Sequence, residues 1–229
     1  MGEMIKCLDK GYVILHETMG NDLTVANAAR VSYDKKKAEL DEKDVRLIKF
    51  LAREGHTSPF RHATLQFEVY APLMVARQWW KYVIGGSHQM DSWNESSRRY
   101  ITEDPAFYIP QADEWRSAPE NSKQGSGELL PSEIGSGYSD ALFEHVVDGI
   151  RLYEAAIEEG IAPEQARLFL PAYGMYVRYY WTASLQSVAH FLEQRLADDA
   201  QAEIRIYAEA VNELAEKEFP VSLGELLAD

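Results

Sequence analysis

The sequence predicts an α+β fold in a single domain spanning residues 1–229, with helices predominating around a small, mostly antiparallel sheet. Three observations lead there. Residues 64–70 alternate with period two: Leu65, Phe67 and Val69 fall on one side, Gln66, Glu68 and Tyr70 on the other, as in a half-buried strand. Two other stretches carry apolar stripes at helical spacing, Leu142, Val146, Ile150, Tyr153 and Ile157 in one and Ile204, Tyr207, Val211 and Leu214 in the other. Strand and helix signals are interspersed, and at 229 residues with 46% apolar composition the chain can bury a real core.

Taken in order, residues 11–18 read as a strand, and Asn21-Asp22 cap a helix to about Arg30. A second helix runs from Asp41 to Arg53, with Val45, Ile48 and Leu51–Ala52 on one face and Gly55 as its stop. Pro72 suits a helix start, and Leu73 to Lys81 follows. Ile84 to Trp93 reads as a loop. Residues 110–138, rich in Pro, Gly, Ser and Glu, read as an exposed, mobile insertion. Next come a helix ending at Gly160, a short helix from Pro163 to Leu168 and a strand from Met175 to Thr182. Helices at Ser184–Arg195 and Ala200–Lys217 close the chain.

Charge and cysteine usage exclude several classes. With 23 Lys and Arg against 37 Asp and Glu the net charge is −14, which disfavours a nucleic-acid partner, since that needs a basic face. No apolar run is long enough to span a membrane, and the N-terminus lacks a signal-peptide apolar region. Cys7 is the only cysteine, so neither an internal disulfide nor a cysteine-built zinc site is available. The expectation is a cytoplasmic protein with a reduced thiol and no metal.

Against this acidic background, residues 77–100 stand out: Arg77, Gln78 and Lys81 lie within about one helical turn, and Asn94-Glu95-Ser96-Ser97-Arg98-Arg99-Tyr100 gathers hydroxyls and guanidiniums. Backbone N–H groups, a serine and a bidentate arginine at such a turn suit a phosphate, although the same composition also suits an ordinary polar loop.

The order of several uncommon segments resembles the flavin-dependent thymidylate synthases over nearly the whole chain. They are Asn27 to Asp34, Gly55-His56-Thr57-Ser58-Pro59-Phe60-Arg61-His62, Ala71-Pro72 with Ala76 to Trp80, and Trp93 to Tyr100, followed by Glu164 to Pro171, Trp181-Thr182, Phe191-Leu192 with Arg195, and Ala200-Gln201 with Glu203-Ile204. One departure is plain. The family signature is Arg-His-Arg, then a serine after seven intervening residues, whereas here Lys81-Tyr82-Val83 takes that position and Ile84 to Ser96, before Ser97, makes a spacer six residues longer.

The resemblance implies that Gln78, Lys81, Ser97, Arg99 and Arg167 hold deoxyuridine monophosphate (dUMP), with Glu95 between nucleotide and flavin. It implies FAD contacts from Ser58, Ser184, Gln186 and His190, with His56, His88 and Asp199 as weaker candidates. Arg195 would face the pyrimidine, favour its ionised form and so raise electron density at C5. Read from its place alone, near a helix end, Arg195 is equally a cation favourable to the helix dipole. By the same resemblance methylenetetrahydrofolate supplies the one-carbon unit, NADPH reduces the flavin, the flavin supplies hydride, and the chain assembles as a homotetramer with shared sites. No cysteine nucleophile is needed, and Cys7 reads as a buried structural thiol. The rival reading is a flavin- and nucleotide-binding protein of this fold that has lost catalysis. On spacing alone His56 and His62 read as structural, and Trp79-Trp80 and Tyr179-Tyr180-Trp181 as core.

Overall fold

The computed structural model describes residues 2–31, 35–85, 91–97, 104–120 and 125–228. Its centre is a five-stranded antiparallel sheet: β1 (Met4–Cys7), β2 (Gly11–Met19), β3 (Thr64–Pro72), β4 (Ser92–Glu95) and β5 (Tyr176–Ser184), in spatial order β1-β2-β3-β5-β4. The alternation read in β3 is the alternation observed: Leu65, Phe67 and Val69 are buried on the helix-covered face. On β5, Val177, Tyr179, Trp181 and Ala183 point the same way, and Phe67 lies opposite Trp181 in the ladder.

The helices are α1 (Asp22–Ala29), α2 (Glu42–Arg53), α3 (Leu73–Gly85), α4 (Ser132–Glu158), α5 (Pro163–Ala166), α6 (Leu185–Arg195), α7 (Ala202–Glu218) and α8 (Ser222–Leu227). The caps follow the residue chemistry. Asn21 and Thr24 form a capping box on α1, and Asp41 and Asp44 form one on α2. Buried Asp44 is held by Arg30 and Lys37, and buried Asp22 accepts the backbone N–H groups of Val221 and Ser222, which ties the C-terminal region to α1. Aromatic packing joins α3, α6 and the sheet: Trp79 stacks on Phe191 at 4.3 Å and meets Trp181 edge-on at 5.3 Å. Trp79, Tyr179 and Trp181 are fully buried, whereas Trp80 is half-buried and Tyr180 is exposed.

Several elements differ from the sequence reading. β1 and α8 carry too few residues to show a period. Helix α3 continues past Lys81 to Gly85, and β4 takes in the end of the stretch read as a loop, because Trp93 stacks on Tyr179 at 3.9 Å and draws the segment onto the edge of β5. The described parts of 110–138 are not a free loop. They hold a bridge between Arg116 and Leu129, the Trp115 indole donates to Ser139 Oγ at 2.9 Å, and α4 begins at Ser132. Gly135 is required there, since a Cβ would strike the Ala112 carbonyl. Most of the described Pro, Gly and Ser residues here are exposed or half-buried; Gly135 is the one buried against the chain.

Candidate active site

Helices α3, α4, α6 and α7 and a strap of chain line a cleft of about 1020 Å³. Helix α3 follows β3 directly at Pro72, and the Leu73 N–H donates to the Met175 carbonyl, so its orientation is set by the sheet. While Trp79 faces the core, Met74, Gln78 and Lys81 face the cleft. Helix α6 starts at Ser184, whose hydroxyl accepts the Ser187 N–H, and its last residue, Arg195, reaches the same cleft. Helix α7 begins beside it, with Gln201 as N-cap and Glu203 in its first turn. The strap contributes Phe107, Tyr108, Glu114, Trp115 and Arg116.

The polar groups are interlocked. Arg195 Nη1 donates to Gln78 Oε1 at 3.3 Å, and Gln78 Nε2 donates to Gln201 Oε1 at 2.5 Å. Gln201 Nε2 in turn donates to Glu203 Oε2 at 2.7 Å, while the other oxygen of Glu203 pairs with Arg116. Burial works to raise the Glu203 carboxyl, but the hydrogen bonds from Arg116 and Gln201 outweigh it and leave the group below the usual carboxylate range. Arg195 also stands over the Tyr82 ring at 5.4 Å. Its Nε is buried without a hydrogen-bond partner among the described residues.

Of the residues read as nucleotide contacts, Gln78, Lys81 and Arg195 come together in this cleft. Glu95 and Ser97 lie on and just after β4 and do not line this cleft; Arg77 is the cation near Glu95. Desolvation raises the Glu95 carboxyl above its ordinary range, with Trp93 and Arg77 opposing. Arg167 is exposed beside α5, where its Nε donates to the Glu164 carbonyl, and it does not line the cleft. Arg99 and His88 lie outside the described residues.

The residues read as flavin contacts sit on adjoining elements. His56 and Ser58 line a second cleft of about 580 Å³ with Arg61 and His62. The turn at Ser58–His62 leads to Ala63, whose carbonyl accepts the Leu185 N–H, so this turn abuts the start of α6, where Ser184 and Gln186 lie. Gln186 Oε1 is buried with no partner among the described residues. A buried acceptor left without a partner, on the element that abuts the turn of the second cleft, is a group that a ligand with hydrogen-bonding edges such as a flavin would fit. His190 is exposed on α6, paired with Glu193, and Asp199 lines the first cleft. Among the described residues no group of three or more His, Cys, Asp or Glu could hold a metal ion, and no helix is long and apolar enough to cross a membrane.

Sequence reasoning gave no role to Arg116, Gln201, Glu203 or Tyr82. A signal existed for two of them: Gln201 and Glu203, two apart before an apolar helical stripe, mark a helix start with an acidic first turn.

Residues 13–221 match the family described as thymidylate synthase complementing protein. The flavin-dependent thymidylate synthase of Thermus thermophilus is 40% identical over 220 residues, covering 95% of this chain and 76% of that protein. The enzyme of the same name from Thermotoga neapolitana is 37% identical over 217 residues, covering 94% and 90%. Among solved structures, the UMP/dUMP methylase PolB from Streptomyces cacaoi bound with 5-Br dUMP superposes with a TM-score of 0.81 at 29% identity, covering 96% of each chain.

Proposed function

The chain belongs to the flavin-dependent thymidylate synthase family, and from that premise we propose how its own residues divide the work of converting dUMP to dTMP. It is a methyltransferase-type enzyme of nucleotide biosynthesis with a flavin cofactor. In our reading the flavin is FAD, the one-carbon donor is methylenetetrahydrofolate, and NADPH is the reductant.

Gln78 and Arg195 take the uracil edge, while Lys81, with Ser97 and Arg99, takes the phosphate. The observation that carries this reading is the convergence of Gln78, Lys81 and Arg195, from two helices, on one cleft large enough for a nucleotide. Arg195 stabilises negative charge on the pyrimidine and so makes C5 the nucleophilic carbon. No thiol addition is needed. Cys7 is buried in the core at the end of β1, and burial, with Glu209 nearby, pushes its thiol up to about 12, so it is no thiolate at neutral pH. Ser58, Ser184, Gln186 and His190, with His56, would hold the flavin, which when bound supplies the hydride that completes the methyl group. Glu95 would stand between the two ligands.

A homotetramer with shared sites accounts for the scatter of these residues. Arg167 is turned away from the cleft of its own chain and would serve a neighbour's. Around it Leu168, Phe169 and Tyr173 are exposed, along with Phe143 and Val147 on α4, an apolar surface suited to a partner copy.

The test is release of tritium from C5-labelled dUMP by protein supplied with FAD, NADPH and methylenetetrahydrofolate. Tritium in water together with dTMP is expected. A protein that binds FAD and dUMP yet forms no dTMP would overturn the assignment.

A further inference from the structure

We infer that Glu203 is a positioning residue: acting through Gln201, it helps fix which end of the Gln78 amide faces Arg195. The inference rests on the functional reading above and deepens it.

The chain of contacts has two ends of opposite character. An ionised Glu203 carboxylate only accepts hydrogen bonds, and the Arg195 guanidinium only donates them. Between them stand two amides, each able to point either way. Facing Glu203, Gln201 must present its NH₂, which it does at 2.7 Å. Its carbonyl is then left for Gln78, which presents its own NH₂ at 2.5 Å. The Gln78 carbonyl is left for Arg195. The second Gln78 N–H has a place too, toward the Met74 carbonyl at 3.4 Å. One orientation of both amides satisfies the whole series; the guanidinium selects it from one end, and the carboxylate reinforces it from the other.

Glu203 is itself held. It is buried at 5% exposure, and Arg116 from the strap occupies its other oxygen. The strap is anchored in turn by the Trp115 indole on Ser139. A segment with no evident role in the sequence therefore delivers the cation that keeps this carboxylate buried and charged. The result is an Arg195 whose Nη1 is committed to Gln78, while its Nε is buried and unpartnered among the described residues.

A glutamine at position 203 could donate as well as accept, and the series would then be selected from the Arg195 end alone, with Gln201 no longer held to one orientation. The experiment is a double-mutant cycle on dUMP affinity, measured by calorimetry to millimolar dUMP on FAD-loaded protein, with melting temperature and flavin absorbance recorded for each variant. Glu203→Gln should raise the Kd for dUMP roughly tenfold to a hundredfold, the range for losing a hydrogen bond to a charged group. In a Gln78→Ala background the same change should cost no more than about threefold, because the residue it acts through is gone. Equal losses in both backgrounds, or an unchanged Kd in the single variant, would overturn the inference. Should Glu203→Gln not fold, Gln201→Met interrupts the series while leaving the Arg116–Glu203 pair, and the same cycle applies with the same expectations. A wild-type protein that does not bind dUMP would defeat the functional reading and this inference together; wild-type binding with additive variants would defeat this inference alone.

Discussion

The Arg195 guanidinium stands 5.4 Å from the centroid of the Tyr82 ring. Tyr82 is the middle residue of Lys81-Tyr82-Val83, where the family signature carries histidine. Its ring is also packed edge-on against Phe191 at 5.4 Å and His190 at 5.8 Å, so it is a fixed platform for the cation. A cation over an aromatic face gains about 0.5–2 kcal/mol. Tyr82→Ala should therefore lower kcat/KM for dUMP by roughly twofold to thirtyfold, and Tyr82→Phe, which keeps the face, should retain most activity. Equal damage from both would mean that the hydroxyl, not the ring, matters.

Cys7→Ala should leave turnover close to wild type. The thiol is 1% exposed in the core, and its pKa, raised to about 12, forbids attack at neutral pH. A stability loss of about 1 kcal/mol is the expected effect, read from urea denaturation. Loss of turnover with fold and flavin retained would reopen a cysteine mechanism.

Asp91 gives a pH dependence. Its carboxyl is packed near the start of α6, where burial, with both oxygens lacking a hydrogen-bond partner among the described residues, raises it from 3.8 to about 6, the nearby Ser187, Trp181 and Ser184 opposing only in part. Between those two values the folded protein binds more protons at this site than the unfolded chain. The contribution of Asp91 to stability is therefore fully present below pH 3.8 and is lost as pH rises through about 6. Asp91→Asn should melt higher than wild type at pH 7.5, with the difference shrinking toward pH 4. A constant difference across that range would show that the carboxyl is not the cause.

Assembly is the next expectation. Light scattering at micromolar concentration should give a multiple of the 26.0 kDa chain mass, four in our reading. A monomer with full activity would contradict the shared site, and Arg167 would then have no substrate to reach.

Where period and capping spoke clearly, the sequence was readable. β3 was visible because Leu65, Phe67 and Val69 alternate with polar residues, and α2 because Val45, Ile48 and Leu51–Ala52 share a face and Gly55 follows it. β4 was hidden because four residues show no period, and only the stacking of Trp93 on Tyr179, distant in sequence, defines it. Within 110–138 the start of α4 at Ser132 was hidden, because Gly135 reads as a loop residue until the Ala112 carbonyl is seen pressed against it. Gln78 and Lys81 could be grouped from spacing three apart on a helix. That Arg195 joins them depends on how α3 and α6 pack around Trp79 and Phe191, and no local pattern encodes that packing. Arg116 was invisible for the same reason: its partner, Glu203, lies far along the chain.

The central claim is that the cleft of Gln78, Lys81 and Arg195 activates the pyrimidine, with Arg195 as the group that stabilises its charge. The most direct measurement is dTMP formation by wild type, Arg195→Ala and Arg195→Lys at saturating dUMP and methylenetetrahydrofolate, with melting temperatures recorded alongside. Loss of one such electrostatic donor should cut turnover by about 10²–10³. Lysine keeps the charge but not the planar fork that engages Gln78 and the ring of Tyr82, so it should be badly impaired as well. Turnover within about twofold of wild type in both variants, at unchanged melting temperature, would contradict the account and leave Arg195 as a cation at the end of a helix, worth about 0.3–1 kcal/mol to the fold.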